Sequence, residues 1–255
     1  MITTVLLQIL SNVANDYGDS VHGADHAGRQ GPARAVQSGA ITRQAMKRAV
    51  WIFALLSLVS GIALLYMAFG WNARAFLFFL ALGLLSILAA VGYTAGKKPY
   101  GYVGLGDASV MIFFGWVGVG GTYYLLTRQL DYAVVLPAIS CGAFAVGVLN
   151  INNVRDIESD RAAGKFSLPV RMGKKWAAHY HAGLIVVGLG AALAYTVLHW
   201  HSPWQLLFLV TVVFFVPIAR AVIHKPSSEL DPYLKRMAVA TLLFVLLFGA
   251  GLLMR

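Results

Sequence analysis

The chain has 255 residues, of which 59% are hydrophobic and only 12% charged, with a formal net charge of +10. That is about half the roughly 25% charged residues of an ordinary soluble domain, so a water-soluble globular fold is excluded. The single Cys141 excludes a disulfide framework.

Residues 1–14 are apolar but too short to cross a bilayer alone, since a span needs about 20 apolar residues. They lack the basic start and small-residue cleavage site of a signal peptide. Seven runs of adequate length follow, at 49–69, 75–95, 108–126, 132–152, 177–198, 203–223 and 234–254. The expected fold is an all-α, multi-helix transmembrane bundle forming one domain over 1–255, with the lipid bilayer as its solvent and no soluble domain attached. Glycines within the spans, such as Gly115, Gly118 and Gly142, read as points of close helix packing.

The basic residues explain themselves by position and need no nucleic acid. Seventeen of the twenty Lys and Arg residues fall in alternate connections, including Arg29 and Arg34 in the first, Lys97 and Lys98 in the second, and Arg155, Lys165 and Arg171 in the third. The positive-inside rule places those connections in the cytoplasm. Nine of the ten acidic residues share that side, with Asp131 the exception, and topology alone does not account for them.

The acids are patterned. Asn15-Asp16-x-x-Asp19 follows the opening apolar run, and Asn152-Asn153-x-x-Asp156-x-x-x-Asp160 follows another, 137 residues later. Ionisable groups at membrane helices mark functional sites, because they are costly unless paired, metal-bound or facing water. On a helix, Asn15 and Asp19, Asn152 and Asp156, and Asp156 and Asp160 each share a face at a spacing of four, so each motif aims several oxygens at one point. Magnesium favours such ligation, using a few carboxylates completed by substrate phosphates. Two acidic arms with Arg and Lys nearby therefore point to a bound diphosphate. Two related halves around one site also fit a cation-coupled transporter, but its carboxylates belong near mid-membrane rather than at one face. His22 and His26, or His179 and His181, lack the further ligands of a zinc site.

With Leu10 through Asp19, Arg29 through Arg34, Tyr93 through Tyr102, Gly104 through Asp107, Leu149 through Asp160 and Val170 through Gly173, the chain resembles the UbiA superfamily of intramembrane aromatic prenyltransferases over nearly its whole length. It is most similar to the branch acting on 1,4-dihydroxy-2-naphthoate. The resemblance implies a bundle of nine helices around a cytoplasm-facing central cavity in the bacterial inner membrane. About eight are expected here, with the first missing and the second partial. It implies Mg2+ held by Asn15, Asp16, Asp19, Asn152, Asp156 and Asp160. Asp19, Asp156, Asp160 and Tyr93 would be catalytic. Diphosphate contacts fall to Arg29, Lys97, Lys98, Arg155, Lys165 and Arg171, and acceptor contacts to Arg34 and Asp25. The donor would be a polyprenyl diphosphate of octaprenyl class, and the product demethylmenaquinone. Other aromatic acceptors within the superfamily are 4-hydroxybenzoate and homogentisate. The general superfamily pattern carries a further Asp four residues after Asp19. Gly23 stands there instead, with Asp25 two residues later, as in the naphthoate branch.

Overall fold

The structure, a computed structural model, describes residues 1–24, 34–70, 72–96 and 98–254. The sequence expectations at Asp25, Arg29 and Lys97 lie outside the described residues. Among the described residues the secondary structure is helical throughout. We label the helices α1 (Ile2–His22), α2 (Arg43–Phe69), α3 (Ala73–Gly92), α4 (Gly106–Thr127), α5 (Tyr132–Arg155), α6 (Ile157–Ala162), α7 (Leu168–Leu198), α8 (Pro203–His224) and α9 (Asp231–Leu253). Seven of them, α2 to α5 and α7 to α9, are long and apolar enough to cross a membrane, and they coincide with the seven runs expected from hydropathy. The protein is a multi-pass membrane protein, with large apolar side chains such as Trp51, Leu55, Leu77, Phe78 and Val186 exposed on its helices.

The chain divides into two compact units. The first comprises Met1–Gly106 and Ser159–Ser167. Helix α1 does not stop where its apolar run ends; it continues through the first acidic motif to His22. Gly23 closes it with φ of 76°, and its N–H bonds the Asp19 carbonyl. A left-handed residue is what this helix end requires, and glycine reaches it without a Cβ penalty. The connection after α1 is correspondingly shorter than hydropathy implied, because α2 begins at Arg43, with the Thr42 hydroxyl capping Ala45 N–H at 3.2 Å. Leu10, Ala14 and Val50 form a small core with Phe53, Ile87 and Val91. Thr3 and Ser60 share a hydroxyl–hydroxyl hydrogen bond of 2.7 Å between α1 and α2. At Gly18 an added Cβ would lie 2.5 Å from the Thr94 backbone, so only glycine lets α1 approach the end of α3 this closely.

The second unit comprises Asp107–Glu158 and Leu168–Arg255. Its centre is an aromatic cluster. Phe144 stacks on Phe215 with ring centroids 4.6 Å apart and meets Phe244 edge-on at 4.7 Å, while Phe208 and Phe248 extend the group. Small residues permit the close approaches: Gly115 of α4 faces Gly142 of α5, and a Cβ at Gly115 would meet the Ala138 carbonyl at 2.7 Å. Around that contact, Met111–Gly120 is wound as a π-helix. Helix α7 begins earlier than hydropathy implied and breaks at Gly173, whose φ of 78° and ψ of 160° are non-helical.

One sequence expectation is corrected here. Asp156 N–H still bonds the Asn152 carbonyl at 3.0 Å, so that pair keeps its helical spacing, but Asp160 does not continue the same helix. Helix α5 ends at Arg155, and Asp156 is its C-cap with φ of −93° and ψ of 13°. The chain restarts as α6 and passes from the second unit to the first between Glu158 and Ser159. The four-residue spacing matched a helix, but the strong ion pair between neighbours Arg155 and Asp156 lies at the turn that separates the two helices.

Candidate active site

In the first unit, α1 carries Asn15, Asp16 and Asp19 on one turn. Asp19 is 1% exposed. Its Oδ1 accepts a hydrogen bond from the Tyr102 hydroxyl at 2.9 Å, and its Oδ2 accepts one from Arg34 Nη1 at 2.8 Å. The same Arg34 nitrogen lies 3.3 Å from Asp16 Oδ1, so one guanidinium bridges both carboxylates. Lys165 reaches in from the segment after α6. Its Nζ is 3.3 Å from Asp160 Oδ1, 3.9 Å from Asp19 Oδ2, and 5.7 Å from the centre of the Tyr102 ring. The backbone holds this segment in place: Phe166 N–H bonds the Tyr102 carbonyl at 2.9 Å, and Lys165 N–H bonds the Asp160 carbonyl at 2.8 Å. Burial works against the Lys165 charge, but the carboxylates of Asp19 and Asp160 outweigh it and hold its pKa above the ordinary lysine value. Two members of the sequence-derived site, Asp19 and Asp160, thus meet in one unit through a buried lysine although 141 positions separate them in the chain.

Tyr93 stands beside this cluster. Its ring meets that of Tyr100 edge-on at 5.5 Å, and its carbonyl accepts from Gly101 N–H at 3.0 Å. A Cβ at Gly101 would fall 2.6 Å from that carbonyl, so Gly101 permits the turn that delivers Tyr102 to Asp19. Lys98 is exposed.

In the second unit, the side chain of Arg155 grips its neighbour. Nε donates to Asp156 Oδ1 and Nη2 to Asp156 Oδ2, both at 2.8 Å, a bidentate pair. Nη2 also donates to Asn152 Oδ1 at 2.8 Å, and Nη1 to Asp231 Oδ1 at 2.5 Å. Arg155, expected to contact diphosphate, is therefore already engaged by three acceptors, while Arg171 lies exposed on the first turn of α7. Sequence reasoning assigned no role to Tyr102 or Asp231. Tyr102 lay within a recognised motif and was legible only as an aromatic; Asp231 opens α9 and resembles an ordinary helix start.

The donors fit a hard divalent ion. Asn15 Oδ1 is buried without a hydrogen-bond partner, one turn from Asp19 and beside Asp16, and an amide oxygen with two carboxylates is an oxygen-only set. Among the described residues, no three His, Cys, Asp or Glu side chains are grouped closely enough to hold a metal by themselves. Magnesium does not require such a cage, because one or two carboxylates and substrate phosphates suffice.

Seven apolar helices, with acids and a lysine buried at helix ends, define an α-helical integral membrane protein. The UbiA prenyltransferase family model matches residues 1–247, and the chain belongs to that family. It is 48% identical over 253 residues to the 1,4-dihydroxy-2-naphthoate octaprenyltransferase of Escherichia coli K12, covering 99% of this chain and 82% of that protein. It is 45% identical to the protein of the same name from Haemophilus influenzae, with the same coverage. A more distant relative, from Mycobacterium tuberculosis, is 34% identical over 97% of this chain and 82% of its own length. The fold is also similar to a solved structure described as giving insights into digeranylgeranylglyceryl phosphate synthase in membranes. The TM-score is 0.57 at 20% identity, over 98% of this chain and 83% of that one.

Proposed function

We propose that this protein transfers a polyprenyl group, of octaprenyl class, from its diphosphate to 1,4-dihydroxy-2-naphthoate, with decarboxylation, in menaquinone biosynthesis. The observation that carries this is the identity of 45–48% over nearly the whole chain to proteins named for that activity. The acidic turn of α1 supplies chemistry that suits it.

Breaking the allylic C–O bond sends the electron pair to the departing diphosphate. The naphthoate carbon bearing the carboxylate attacks the allylic cation, and CO2 then leaves with its C–C electron pair returned to the ring. The balanced products are the demethylated menaquinol, diphosphate and CO2. Asn15, Asp16 and Asp19 would hold Mg2+, with Asp160, joined to Asp19 through Lys165, beside them. When bound, Mg2+ supplies charge neutralisation for the diphosphate oxygens. Lys165, fixed as a cation by Asp19 and Asp160, adds positive charge beside the same oxygens at no reorganisation cost. The Tyr102 ring already faces Lys165 Nζ at 5.7 Å, which leaves Tyr93 as the aromatic side chain that would face a developing cation. The active mouth faces the cytoplasm of a bacterial inner membrane, on the side of the basic connections.

The test is direct. The purified protein, offered octaprenyl diphosphate, Mg2+ and each of 1,4-dihydroxy-2-naphthoate, 4-hydroxybenzoate and homogentisate, is expected to prenylate the naphthoate and release CO2. EDTA should abolish turnover, and Asp19→Asn should lower it by orders of magnitude. Preferred use of another acceptor, or full turnover by Asp19→Asn, would overturn the assignment.

A further inference from the structure

Asp19 is surrounded by donors on both of its oxygens. Oδ1 takes the Tyr102 hydroxyl, and Oδ2 takes Arg34 Nη1 at 2.8 Å with Lys165 Nζ behind it at 3.9 Å. Arg34 Nη1 lies within ion-pair distance of both Asp16 and Asp19, so a divalent ion taking the same carboxylate oxygens would compete with it. Like charges a few ångströms apart in a poorly hydrated place repel strongly. Lys165 is the less mobile of the two cations. It is buried and tied to Asp160, and its backbone N–H is hydrogen-bonded to the Asp160 carbonyl. Arg34 stands on the connection between α1 and α2, its long side chain 11% exposed. Neutralising two adjacent carboxylates in the metal-free protein is a need that an arginine fork meets well.

Resting on the magnesium reading above, we propose that Arg34 is a resident stand-in for the divalent ion: its guanidinium bridges Asp16 and Asp19 in the metal-free protein and is displaced from them when the ion binds. Arg34 is then a positioning residue that keeps the acidic turn assembled before the ion arrives and sets its apparent affinity by competition.

The experiment uses the full chain in detergent, without diphosphate. Mn2+ binding is followed by electron paramagnetic resonance, and modification of Arg34 by phenylglyoxal is followed by peptide mass spectrometry across the same titration. Arg34 modification should rise several-fold, with the midpoint of Mn2+ binding. Arg34→Gln should tighten Mn2+ binding roughly tenfold, the order expected for removing one charge-assisted hydrogen bond from the competing state. Arg34→Lys should restore weaker binding. Arg43→Gln is the control for a general field effect: Arg43 donates to a backbone carbonyl, Ser20 O, rather than to a carboxylate among the described residues, and its loss should leave Mn2+ affinity within twofold. Mn2+ binding with unchanged or reduced Arg34 modification would overturn the stand-in role while leaving the metal site intact. Equal tightening in Arg43→Gln would also overturn it. No bound Mn2+ at all would remove the metal reading and the stand-in with it.

Discussion

The hydroxyl of Tyr102 donates to Asp19 Oδ1 at 2.9 Å across 83 positions of sequence, closing one side of a carboxylate that is almost wholly buried. A buried acid deprived of a donor bears its own desolvation cost, about 1–3 kcal/mol. Tyr102→Phe should therefore lower the melting temperature in detergent by an amount equivalent to about that figure and reduce turnover, with helicity by circular dichroism unchanged. An unaltered melt would mean that Asp19 finds another donor.

Lys165 is expected to be a larger determinant of stability. Lys165→Met removes the cation Asp19 and Asp160 share, leaving Arg34 on Asp19, and removing one partner of a buried ion pair costs roughly 3–5 kcal/mol. The pH dependence has a defined sign. The folded pKa of Lys165 is raised above its unfolded value, so its contribution is fully present below about pH 10.4 and is lost as pH rises through the folded pKa. Melting curves taken above pH 10 should show the gap between wild type and Lys165→Met closing as pH increases. A gap that widens would contradict the charge assignment.

Arg155 joins Asp156, Asn152 and Asp231, and the geometry is bidentate. Arg155→Lys keeps the charge but cannot form the fork, so it should behave much like Arg155→Gln in stability rather than like wild type. A double-mutant cycle between Arg155→Gln and Asp231→Asn should give a coupling energy of about 1 kcal/mol or more, because the two atoms are in direct contact. Additive effects would show that Asp231 is a bystander.

Two glycines offer an internal comparison. A Cβ at Gly18 would sit 2.5 Å from the Thr94 backbone, whereas at Gly83, inside α3, it would meet nothing within 4 Å. Gly18→Ala should destabilise by about 1–3 kcal/mol through forced separation of α1 from Thr94, whose hydroxyl bonds the Ala14 carbonyl. Gly83→Ala should be neutral or stabilising by up to about 1 kcal/mol, since alanine is the better helix former. Parallel thermal melts check both.

The sequence by itself determined the seven spans and the first acidic turn. Hydropathy is summed over some 20 local residues, and the spacing of Asn15, Asp16 and Asp19 needs nothing beyond one turn of helix. It also carried the family, because the motif residues are contiguous. The break at Asp156 was not legible, since a spacing of four is equally compatible with an unbroken helix and with two helices joined at a turn. Only the tertiary structure decided which cation faces which acid. Arg34, Tyr102 and Lys165 reach Asp19, and Asp231 reaches Arg155, across separations at which local periodicity carries no information. In the first unit those pairings depend on how closely backbones approach at Gly18 and Gly101, and in both units on the electrostatic cost of leaving a buried charge alone. Both are properties of the packed molecule rather than of any short stretch of chain.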